Sequence, residues 1–172
     1  MQNIRNIPPV CLFISLIHLL TGRLVFPRRY LNQHIRTKNM GIYTIFRHVA
    51  LTKCKDGSEN CVFLVSFKFS NLSFPANKFA SLIPMLFIAG SLGFMQKVYG
   101  ADPESGYWQG LYQWRSPMDL ETYRKSFIFL MMNKRAVKGS VSVKIIPQAN
   151  ITEYIKTMSQ IESGCTSHKL NK

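Results

Sequence analysis

The sequence predicts an α+β fold in which a four-stranded antiparallel sheet carries two helices on one face. Three observations predict it: period-two apolar alternation in four short segments, helical apolar spacing in two longer ones, and turn or cap residues at each boundary between them. The order is strand, helix, strand, strand, helix, strand, which is the split βαβ, ferredoxin-like plan.

The first strand is Cys61 to Ser70, where Phe63, Val65, Phe67 and Phe69 share one face and Val62, Leu64, Ser66 and Lys68 the other. A helix follows from Pro75 to Ala89. Pro75 suits a first helical turn, Phe79, Leu82, Ile83, Leu86 and Phe87 form an apolar stripe, and Pro84 must kink or end the helix because it lacks a backbone donor. Gly90-Ser91-Leu92-Gly93 breaks the chain before a second strand, Phe94 to Ala101, and the Asp102–Gly106 loop joins it to a third, Tyr107 to Arg115. Ser116-Pro117 reads as an N-cap followed by the first helical residue, with Asp119 and Glu121 in the first turn. Leu120, Tyr123, Phe127, Leu130 and Met131 continue at helical spacing until Gly139, and Ser140 to Pro147 is the fourth strand. Residues 148–172 read as a short amphipathic helix or tail.

The sheet is apolar on both faces, whereas helices cover only one. A second copy of the sheet is one cover, giving a homodimer with a barrel between subunits. The alternative is that Ile42 to Leu51 folds over the open face. That segment belongs to a connector, residues 40–60, which holds either an extra strand or no strand. As a strand it cannot pair fully with the first strand, which already has two neighbours, so it must cross to another edge or to a partner.

Charge divides the chain. The 172 residues carry a net charge of +14. Up to Lys55 there are nine basic residues and no acid, while thirteen basics face eight acids from Asp56 onward. Within the basic N-terminal third, residues 1–39, Val10 to Leu20 is an apolar run of about the length of a signal-peptide core, short of the roughly 20 residues of a membrane span. Arg23, Arg28, Arg29 and Arg36 follow the run, which places what comes after on the cytoplasmic side. Residues 10–26 are therefore expected as a marginal anchor or membrane contact on a cytoplasmic protein. An organelle-targeting presequence, or an extension ahead of a body that begins near Met40, are the other readings. Cys11, Cys54, Cys61 and Cys165 show no CxxC or His-paired spacing, so no metal site is expected, and the thiols are expected to be reduced.

The Ala89-Gly90-Ser91-Leu92-Gly93-Phe94 break, the Gly110-Leu111-Tyr112-Gln113-Trp114 strand leading into Ser116, and the Asp119–Tyr123 helix opening give residues 61–147 a resemblance to the dimeric α/β-barrel proteins of the antibiotic-biosynthesis-type monooxygenases. Relatives often have Pro-Gly where this chain has Leu92-Gly93. The resemblance implies a cofactor-independent oxygenase, without metal or flavin, that positions a small apolar or aromatic compound in a cavity of the barrel. The residues it would place there are Trp108, Tyr112 and Trp114 on one face of the third strand, Gln109 and Gln113 on the other, and Lys68. Plain core packing is the competing reading for each aromatic, as solvated surface charge is for Lys68.

Residues 61–147 contain no histidine, so a His-based triad or a haem held by histidine finds no ligand there. His48, just outside, reads as structural. No obvious acid, base or nucleophile set is visible, which favours a non-catalytic ligand-binding or structural dimer as the alternative function. Nucleic acid is disfavoured as a partner. The strand order is shared with RNA-recognition modules, but no Lys/Arg-Gly-Phe run is present and the basic residues are not interleaved with the aromatics.

Overall fold

The computed structural model describes residues 7–37, 41–52, 54, 57–69 and 73–166. In chain order the elements are α1 (Pro8–Leu20), β1 (Leu24–Val25), β2 (His34–Thr37), β3 (Gly41–Leu51), β4 (Cys61–Lys68), α2 (Phe74–Ala80), α3 (Leu82–Ala89), β5 (Phe94–Asp102), β6 (Tyr107–Trp114), α4 (Pro117–Arg124), α5 (Phe127–Arg135), β7 (Ser142–Pro147) and α6 (Ile151–Thr166).

The four expected strands form the antiparallel order β5-β6-β4-β7, the ferredoxin-like arrangement. The sheet is nevertheless seven-stranded rather than four-stranded. β3 crosses to the far edge and pairs with β5, and β1 and β2 both pair with the outer edge of β3. The Ile42 to Leu51 segment thus extends the sheet instead of folding over it. Cys61 is a buried thiol and Cys54 is exposed.

Both expected helices are divided. The first breaks at Ser81, ahead of Pro84. Pro84 therefore occupies the first turn of α3, where a backbone N–H has no intrahelical acceptor to lose. The second opens as predicted, with Ser116 Oγ accepting from Asp119 N at 3.2 Å. It then restarts at Ser126, whose hydroxyl accepts from Phe129 N at 3.5 Å.

Two cores flank the sheet. On one face Phe63, Val65, Phe67, Trp108, Tyr112 and Trp114 pack against Met85 and Ile88 of α3, Tyr123 of α4 and Phe129 of α5. On the other, Val62, Leu64, Val98 and Leu111 meet Ile151, Tyr154 and Ile155 of α6, together with Tyr30 and Ile35. The apolar second face that raised the expectation of a partner sheet thus has a cover within the chain. Asn150 Oδ1 caps α6 by accepting from Glu153 N at 2.8 Å.

The apolar run near the N-terminus is a 13-residue helix that buries Cys11 and Ser15. It packs on α3 and ends at Thr21-Gly22, and Leu24 and Val25 then join the sheet. Residues 10–26 are therefore not one continuous apolar segment. Among the described residues no helix is long and apolar enough to cross a membrane. Leu24, Tyr30 and Ile35 all enter the cores, so this part of the basic N-terminal third is built into the fold.

Candidate functional site

Between the sheet and the helices α2, α3 and α5 lies a cavity of about 60 Å³. Its floor comes from β5 and β6. Alternation puts Lys97 and Tyr99 of β5 on the same face as Trp108, Gly110 and Tyr112 of β6, with Lys97 paired to Tyr112 and Tyr99 to Gly110. Gly110 makes room for the floor. A Cβ there would stand 2.6 Å from Tyr112 Cε2, so the ring lies over space that any other residue would fill. The roof includes Asn77, Ser81 and Pro84 of the α2–α3 segment and Met131 and Met132 of α5.

Arg47 of β3 ties roof to floor. Its guanidinium donates to Ser81 Oγ at 2.7 Å and to the Lys78 carbonyl at 2.9 Å, while its Cζ lies 5.3 Å from the Tyr99 ring centroid. The clamp therefore holds the break between α2 and α3 over the sheet.

Within the cavity, Lys97 Nζ sits 3.8 Å from the Tyr99 ring centroid and 4.2 Å from that of Tyr112. No carboxylate pairs with it among the described residues. Burial drives its ammonium well below the ordinary lysine value, and Arg47 adds repulsion. The tyrosines shift the opposite way. Burial raises Tyr99, Tyr112 and Tyr123, because the phenolate is the form that burial penalises. The Tyr112 and Tyr123 hydroxyls are hydrogen-bonded to each other. The Tyr99 hydroxyl is buried and has no hydrogen-bond partner among the described residues.

Of the residues singled out in the sequence, Trp108 and Tyr112 line this cavity. Trp108 is held by stacking on Phe74, ring centroids 4.7 Å apart, and by an edge contact with Phe46. Trp114 shares their face but is fully buried, stacked on Tyr123 at 4.7 Å away from the cavity. Gln109 borders the cavity, yet its amide lies on the opposite face, 3.5 Å from Ser66 Oγ.

Gln113 is also on that opposite face. It accepts from Gln96 Nε2 at 2.8 Å and from Ile151 N at 3.1 Å, and His48 Nε2 meets Gln96 Oε1 at 2.9 Å. This chain fixes the start of α6, so Gln113 and His48 serve structure. Lys68 stands at the end of β4 with its ammonium 4.5 Å from the Tyr107 centroid, outside the cavity. Sequence reasoning missed Lys97 and Tyr99. The available signal was parity: Lys97 and Tyr99 alternate in step with Ala101, across from Trp108, so all three share the tryptophan's face.

Relatives of the fold are found among solved structures. A ferredoxin-fold protein related to antibiotic biosynthesis monooxygenases, from Listeria monocytogenes, matches with a TM-score of 0.48 and 14% identity over 67% of this chain and 70% of that one. A monooxygenase-like protein from Listeria innocua matches with a TM-score of 0.48 and 14% identity over 66% and 68%. Rv0793 from Mycobacterium tuberculosis matches with a TM-score of 0.45 and 13% identity over 54% and 97%. The likeness is one of fold. No protein-family model and no curated protein matches the sequence.

Gly90 and Gly93, from the break that contributed to the resemblance, are packing devices. Gly90 lies against the Cys11 backbone, and Gly93 adopts φ +74° beside Asp119, whose carboxylate pairs with Arg115 at 3.3 Å. Among the described residues no three His, Cys, Asp or Glu side chains converge as metal ligands.

Proposed function

We propose that the protein binds a small apolar or aromatic compound in the cavity and acts on it as a cofactor-independent monooxygenase. The observation that carries the reading is the buried Tyr99 hydroxyl, which has no hydrogen-bond partner among the described residues, on a residue that lines a mostly apolar cavity. A buried hydroxyl almost always finds a partner, and a polar atom of a ligand would supply one. In the reaction class, dioxygen converts a substrate CH₂ to C=O and its second oxygen leaves as water. The chain's part is to orient the ring, exclude water and manage protons.

Size limits the ligand. About 60 Å³ holds roughly four waters, and an apolar cavity of about 150 Å³ is known to take benzene. A single ring therefore enters only as the flexible Met131 and Met132 side chains move aside.

Trp108 and Trp114 are the two tryptophans, so Trp114→Phe leaves Trp108 as the fluorescent reporter. Saturable quenching by one-ring aromatics is expected, weakened about tenfold or more by a cavity-filling Ile88→Phe. Oxygen uptake matched by oxidised product would support the monooxygenase. Saturable binding without uptake would favour the alternative, a non-catalytic ligand-binding protein, and absence of saturation would overturn both.

We further propose that α1 contacts an anionic membrane surface. Its outward side is wholly apolar, with Phe13 65% and Leu20 86% exposed and Leu16 and Ile17 between them. The first acid in the chain is Asp56, so the charged residues on the segments that flank α1 in sequence are basic. Co-sedimentation with vesicles containing phosphatidylserine is expected, reduced by salt and by Phe13→Ser with Leu20→Ser. Equal recovery of wild type and variant in the vesicle pellet would overturn the assignment.

A further inference from the structure

We propose that Lys97 is the proton acceptor of the cavity and that the compound bound there carries an ionisable O–H beside its ring, a phenol or an enol. The inference rests on the cavity being the ligand site. It adds what kind of ligand the site takes and which atom receives the proton.

Besides Lys97, the polar side chains on the cavity wall are Asn77, Ser81, Tyr99, Tyr112, Tyr123, Arg135 and the averted Gln109. Amides and hydroxyls are not bases near neutral pH, and a guanidinium is protonated already. His48 is on the opposite face, beneath the Tyr30 ring. A lysine amine with its lone pair free is the one group left that can accept a proton.

The surroundings suit that transfer. The charged groups that face Lys97 are Arg47 from β3 and Arg135 from α5, with Tyr99 on its own strand, Tyr112 from β6 and Tyr123 from α4. None of these is an anion, so the resting site has nothing to hold an ammonium by ion pairing. Burial and Arg47 both favour the neutral amine. When a bound phenol gives up its proton, the O–H bond breaks, an N–H bond forms on Nζ, and an ammonium–phenolate pair replaces two neutral groups. The new ammonium lies against the π faces of Tyr99 and Tyr112, and the Tyr99 hydroxyl is free to donate to the new anion.

The probes are 4-nitrophenol and nitrobenzene, of similar shape but differing in the acidic proton. Below its own pKa, free nitrophenol is colourless. Bound to the wild-type protein it is expected to show the yellow absorbance of its phenolate. Lys97→Met should abolish the colour and weaken nitrophenol about tenfold or more, while leaving nitrobenzene within about twofold. Nitrophenol that binds the wild type but stays colourless overturns the proposal and leaves the binding site standing. Failure of both probes to bind overturns the cavity reading itself.

The wild-type absorbance decides the matter even where the variant does not fold. Stability gives a second readout. Lys97 has its pKa lowered on folding, so the unfolded chain binds more protons in the window below the ordinary lysine value of 10.5, and stability rises with pH there. Lys97→Met should therefore gain more over wild type at pH 6 than at pH 9, with the advantage shrinking as pH rises towards 10.5, and a constant difference would overturn the neutral amine.

Discussion

Gly90→Ala is expected to destabilise the protein by about 3 kcal/mol, at the upper end of overpacking substitutions, and to release α1 from α3. The backbone at Gly90 poses no obstacle, since its φ of −90° and ψ of −4° suit alanine. The obstacle is the neighbour. A Cβ at this position would stand 1.8 Å from the Cys11 carbonyl oxygen and 2.6 Å from its carbon. Both atoms are backbone, so no rotamer change relieves the overlap, and the helix must move as a body. Such movement would uncover Cys11 and break its contact with Ser91 Oγ at 3.9 Å.

Gly106→Ala is the matched control. Gly106 has φ +72° with nothing near its missing Cβ, so alanine costs only the left-handed strain of about 1 kcal/mol. Thermal unfolding should separate the two, with Gly90→Ala lowering Tm by about 10 °C. Limited proteolysis near the Thr21-Gly22 turn should rise only in Gly90→Ala. If Gly90→Ala unfolds within about 0.5 kcal/mol of wild type, α1 is not seated where the close approach puts it.

The same glycine shows what a sequence does and does not disclose. Gly90 read as a chain break, which it is, but its tighter constraint comes from Cys11, far away in the chain. Local period and caps made β4, β5, β6 and β7 legible, because each strand's alternation is written in its own residues. The destination of β3 was not legible. Arithmetic on neighbours excluded full pairing with β4, yet nothing local to Gly41–Leu51 names β5 as its partner. The run at Val10–Leu20 looked like an address because the helix that buries one side of it is distant in sequence.

At the site, Trp108 and Tyr112 were legible as a face of one strand. Trp114 shares their face but stacks on Tyr123 outside the cavity, and that is a tertiary fact. Lys97 was read past because a lysine in an alternating strand usually marks the solvent side. Here it points with Tyr99 into the helix layer, and a buried lysine without a carboxylate breaks the local rule in the way functional sites do.

Ile151→Asp is expected to undock α6 and expose the second sheet face, at a cost above about 4 kcal/mol. Ile151 is fully buried in the core formed with Val62, Leu64, Val98 and Leu111. Its backbone N–H is spent on Gln113, and Thr152 Oγ1 lies 2.8 Å from the Tyr30 hydroxyl, so the first turn of α6 is fixed by side chains from β6 and from the N-terminal segment. A carboxylate at this point has no cation beside it in that core, and undocking the helix hydrates it at the expense of uncovering four apolar strand residues. Those residues then need another cover. A second copy of the sheet is the cover expected from the alternation alone, and α6 and that copy compete for one surface. Light scattering across a concentration series should therefore show the variant gaining mass relative to wild type as α6 leaves. If Ile151→Asp keeps both its stability and its mass, α6 is not what buries this face. If the wild type already scatters as a dimer and the variant does not, the face builds a subunit interface with α6 as part of it.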